Sequence, residues 1–153
     1  EVWRVPFIFS WPGRIPQGEH RHDLLEYMDF GLTICSLAGI PLAEGMHGRD
    51  LFNSEEPEAA FGIIRPWTRW IRAGIQTKKY RYDCTFAYHG PYADRDSRIE
   101  NGDYDPNLFD LETDPDEKHN LAHDPAMAGV VRELHRRLET WYQHYNAEKN
   151  TPV

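Results

Sequence analysis

The most restrictive stretch of this sequence is residues 124–145. Asp124 can accept bonds from the free amide groups of a helix start, and Pro125 fits the first helical position, where its missing N–H costs nothing. Met127, Val130, Val131, Leu134, Leu138, Trp141 and Tyr145 then recur at three- and four-residue steps, with Arg132, Arg136, Arg137 and Glu139 on the other side. This spacing predicts an amphipathic helix docked on a sheet or core. Upstream the period changes. Residues 60–65, 69–73 and 79–83 are short segments rich in aromatic and β-branched types, and 108–111 is a candidate final strand. Gly74 reads as the hairpin turn between the second and third segments.

The N-terminal part is organised differently. Residues 5–9 read as a buried strand, bounded by Trp11-Pro12-Gly13, and Pro12, Gly13, Pro16 and Gly18 mark a loop. Residues 23–27 form a candidate short strand. Asp29 is the expected N-cap of a helix over 30–38, with Gly39 at the left-handed C′ position and Pro41 stopping continuation. Phe30, Ile34, Leu37 and Ala38 share one face of it. Residues 42–58 read as a linker with turns at Gly45 and Gly48. The polar stretch 86–107 is long for a structureless connection, and such loops are usually functional or partly mobile. The chain starts without Met or a signal-type leader and enters an apolar strand at once, so a fragment of a longer protein is expected.

Charge excludes some functions. The 153 residues carry 25 acids and 17 Lys or Arg, a net charge of −8, which argues against a general nucleic-acid partner. Ten acids lie between Asp94 and Glu117, opposed only by Arg95 and Arg98. Arg65, Arg69, Arg72, Lys78, Lys79 and Arg81 form a run of the other sign, read as a solvated face ahead of a nucleic-acid one. No apolar run reaches the length of a membrane span. Two Cys, Cys35 and Cys84, are too few for a disulfide framework.

No complete active site emerges from the residues alone. His20 and His22 would share a strand face and could bind a metal, but spacing fixes no further ligand. Asp94-Arg95-Asp96 and Asp103-Tyr104-Asp105 lack the rest of a calcium loop. Cys35 fits a core position, and no His or Asn is placed to activate Cys84. Arg65, Trp67 and Arg69 offer bidentate anion contacts and a stacking surface, and His89 could touch an anionic or sugar ligand. These four are the candidate substrate-binding residues. Asp114-Pro115-x-Glu117-x-x-Asn120 has two readings, an anion-repelling or metal-binding loop and a turn organising the backbone before the helix; turn chemistry favours the second.

Several motifs, in order, resemble the C-terminal portion of the sulfatases. Glu1-x-x-Arg4-Val5-Pro6-Phe7-Ile8-x-x-Trp11-Pro12-Gly13 is similar to the segment after their catalytic core. Tyr27-Met28-Asp29-x-x-x-Thr33-x-x-x-Leu37-Ala38-Gly39-Ile40 is similar to a family helix, with Leu32 where Pro is usual. His47-Gly48-Arg49-Asp50-Leu51 resembles a family turn, and Gly74-Ile75-Gln76-Thr77-x-Lys79-Tyr80-x-Tyr82 a family strand with Gln76 in place of Arg. Leu108-Phe109-Asp110-Leu111-x-x-Asp114-Pro115-x-Glu117-x-x-Asn120-Leu121-Ala122 carries the most specific signature.

The resemblance implies an α/β protein with α+β character in its C-terminal part. Residues 1–52 would end an alkaline-phosphatase-like core, and 53–153 would form a subdomain of antiparallel strands and the terminal helix. It implies sulfuric ester hydrolysis by a parent that holds formylglycine and a divalent cation, usually calcium, with the formylglycine motif and the cation ligands absent from this chain. The chain alone would be inactive, packing on the remaining core and shaping the pocket rim for a sulfate ester. A periplasmic or secreted location is usual in the family. Two alternatives stand beside it: a free-standing interaction module that self-associates through residues 5–9, and a part of a phosphonate or phosphodiester hydrolase of the same superfamily.

Overall fold

The computed structural model describes residues 5–64, 71–86 and 106–149. Its elements are α1 (Tyr27–Ala38), β1 (Ala60–Ile64), β2 (Ile71–Gln76), β3 (Tyr80–Phe86), β4 (Asn107–Asp110), a 3-10 turn (Pro125–Met127) and α2 (Ala128–Lys149). The four strands form an antiparallel meander in the order β1-β2-β3-β4.

Strand alternation decides where the core lies. Ile71, Ala73, Ile75, Tyr82, Cys84 and Leu108 point to one face, and Leu134, Leu138 and Tyr142 of α2 pack on it. Phe61, Trp141 and Tyr145 stack in sequence, with ring centroids 5.0 and 5.6 Å apart, which seals the β1 side of the core. The helix begins as its sequence predicts: Asp124 Oδ1 accepts the Ala126 N–H at 2.8 Å and the chain passes from the 3-10 turn into α2. This is α+β architecture, as expected for the C-terminal part. No helix among the described residues is long and apolar enough to cross a membrane.

Several expectations shift. The β2–β3 turn is not at Gly74, which lies inside β2 opposite Asp83. Thr77 makes the turn instead, its hydroxyl accepting from Tyr80 N at 2.9 Å while its N–H bonds Tyr80 O at 2.8 Å. Residues 23–27 form no strand, because α1 starts at Tyr27. The N-cap is Glu26, and Asp29 sits at the third helical position, its Oδ2 accepting the Glu26 N–H at 2.9 Å. Gly39 does end the helix, at φ +66°. Residues 5–9 pair with no strand, and Val5 and Ile8 are 60% and 86% exposed. An apolar run becomes a buried strand only where a sheet edge meets it, and nothing among the described residues does so here.

Candidate functional site

Arg65, Trp67, Arg69 and His89, like the two Asp-x-Asp pairs near residue 100, lie outside the described residues. The flanking strands still locate their connections. Ile64 pairs with Arg72, and Ile71 pairs with Phe86, so the connections 65–70 and 87–105 leave the sheet at the same end.

The sheet face opposite α2 carries an ionic network that runs from Arg72, near that end, to Arg81, beside the β2–β3 turn at the other. Asp83 is buried and pairs with Arg72 across the strand pair and with Arg81 on its own strand. Asn107 Nδ2 donates to Asp83 Oδ1 at 3.1 Å, and Arg72 Nη1 donates to Thr85 Oγ1 at 3.4 Å. Arg81 reaches on to Glu117, 2.9 Å away, with its guanidinium 4.8 Å from the centre of the Phe109 ring. Among the described residues, two acids thus face two guanidinium groups. The network holds strand to strand. The sequence signal for it was the alternation of Arg72, Arg81 and Asp83 within otherwise apolar strands, but only the register shows the pairing.

The network explains the Asp-Pro-x-Glu-x-x-Asn segment. Asn120 Oδ1 accepts from Leu108 N and Ala122 N, each at 3.0 Å, and its amide donates to Pro106 O and Asn107 Oδ1. Asp114 Oδ2 accepts the His119 N–H at 2.7 Å; such backbone bonds hold its carboxyl below the usual range. Glu117 takes the left-handed conformation at φ +57° and pairs with Arg81. The segment is a clasp on the edge strand β4, which favours the turn reading over a ligand loop.

A second polar cluster joins α1 to the segment 48–51. Asp29 Oδ1 accepts the Arg49 N–H at 2.9 Å, and the Arg49 side chain reaches Glu55 O at 2.8 Å and the Leu24 carbonyl. Thr33 Oγ1 accepts from Leu51 N at 3.1 Å, and Ser36 donates to Asp50. Gly48, at φ +117°, lets the backbone approach closely: a Cβ there would lie 2.6 Å from Met28 O. The Gly-Arg-Asp motif is therefore a clamp on the start of the helix, where the sequence alone suggested a linker turn.

The remaining candidates do not converge. His20 and His22 are exposed, and no three His, Cys, Asp or Glu side chains among the described residues could hold a metal ion. The residues described here do not fit the calcium site that a sulfatase parent implies. Both cysteines are free. Cys84 is fully buried with His135 Nδ1 3.7 Å away; burial pushes its thiol up to about 11, the opposite of an activated nucleophile. His135 Nδ1 lies 3.0 Å from the Tyr82 hydroxyl, tying α2 to β3.

Comparisons with known proteins address this chain's kinship. No family model matches it. It is 24% identical to an ulvan-active sulfatase of Formosa agariphila over 90% of its own length and 32% of that protein. It is 28% identical to a Δ4,5-hexuronate-2-O-sulfatase of Bacteroides thetaiotaomicron, again over 90% of its length and 28% of that protein. The chain thus spans about a third of the length of these curated relatives, matching their C-terminal part. Its fold is shared with a crystal structure assigned to the sulfatases from Bacteroides thetaiotaomicron, at TM-score 0.61 and 18% identity over 82% of this chain and 26% of the other. A protein solved with its substrate D-glucosamine-2-N,6-O-disulfate matches at TM-score 0.57 and 19% identity, over 81% of this chain and 24% of that one.

Proposed function

We propose, from the premise that this chain is the C-terminal portion of a sulfatase, that it completes a hydrolase cleaving the sulfate ester of a saccharide. The observation carrying this reading is the match of nine-tenths of the chain to two curated sulfatases. Saccharides are favoured over aryl or choline sulfates because those relatives act on ulvan and on a hexuronate, and a protein of the same fold binds a glucosamine disulfate.

In this reading the four-stranded sheet is a scaffold. Arg72, Asp83 and Arg81 brace its strands to one another, and the connections that bear Arg65, Trp67, Arg69 and His89 leave it beside Ile64, Ile71 and Phe86. Guanidinium groups suit an anionic sugar sulfate, and an indole suits the apolar face of a sugar ring. The chain's contribution is binding and orientation. The formylglycine nucleophile and the calcium of the family belong to the parent's remaining residues, and no reaction step is assigned to this chain. A periplasmic or secreted placement goes with the proposal.

The reading frame upstream of Glu1 tests it. A Cys or Ser in a Cys/Ser-x-Pro/Ala-x-Arg motif and a paired Asp metal site are expected there. A frame lacking both overturns the hydrolase reading.

A further inference from the structure

We draw no further inference here: the strongest candidate, the buried guanidinium of Arg81 on the sheet face opposite α2, whose Nε has no hydrogen-bond partner among the described residues, belongs to the ionic network already described, and nothing in the structure shows what would bind it.

Discussion

Glu26 Oε1 accepts the backbone N–H of Phe61 at 2.8 Å, so one carboxylate links the start of α1 to the outer edge of β1. Edge N–H groups are open to unwanted pairing, and this bond occupies one of them. Glu56 reinforces the junction by accepting from Leu24 N at 2.8 Å and pairing with Lys78.

The link has a pH signature. Burial is the largest influence on Glu26 and, with nearby Asp29, raises its pKa above 4.5 despite the bond from Phe61 and the proximity of Arg49. The folded state therefore holds the proton to higher pH than the unfolded chain. The associated stability is present below the unfolded value and is lost as pH rises through the folded one. Glu26→Gln keeps an oxygen acceptor and removes the titration. Relative to wild type, it should gain stability as pH rises above the ordinary glutamate range, in urea unfolding at a series of pH values. A wild-type-to-variant difference that does not change with pH would contradict this.

Gly48→Ala should be strongly destabilising. The residue sits at φ +117° and its new Cβ would meet the Met28 carbonyl at 2.6 Å, so both strain and overlap oppose it. A loss of about 1–3 kcal/mol is expected from the backbone conformation alone. Gly129→Ala, on α2 with open space around it, should cost nothing or stabilise. Thermal melts of the two variants check the contrast.

Asp83→Asn breaks a buried charge network while leaving shape nearly unchanged. Arg72 and Arg81 would lose their shared carboxylate, and the cost should be roughly 3–5 kcal/mol. Asp116→Asn, in an exposed pair with Lys118, should fall within about 0.5 kcal/mol of wild type. Similar losses for both would show that the strands are not held together by the network.

Cys84 should resist alkylation near pH 8 until the chain unfolds, because it is fully buried and its thiol is pushed up to about 11. Cys35, half-buried on α1, should react first. Peptide mapping after iodoacetamide treatment reads both. Equal rates in the native protein would place Cys84 in a more open site than the packing of α2 on β3 allows.

What was legible in the sequence follows the range of the interaction. Asp124 and Pro125 announce α2 because a cap and its helix are adjacent, and the strands show because alternation is local. Helix α1 starts at Tyr27, three residues before the start that an Asp29 cap implies. An Asp beside an apolar run looks like a cap, but Asp29 bonds back to Glu26 and out to Arg49, twenty residues on. Gly74 has the composition of a turn, yet Thr77 supplies the turn chemistry, and residues 5–9 have the pattern of a strand but meet no edge among the described residues. The Arg72–Asp83 pair could not be read in advance, since it depends on register across β2 and β3. The candidates Arg65, Trp67, Arg69 and His89 lie outside the described residues; only the strand ends that carry their connections bear on them.

The most direct measurement of the central claim is sulfate released from sulfated saccharides by the full polypeptide that contains this chain, with aryl phosphonate and aryl sulfate esters run in parallel. Preferred release from a sulfated sugar is predicted, falling about tenfold or more in kcat/KM when Arg65 and Arg69 are both changed to Ala. Turnover of the phosphonate alone, or of no ester at all, would contradict the account.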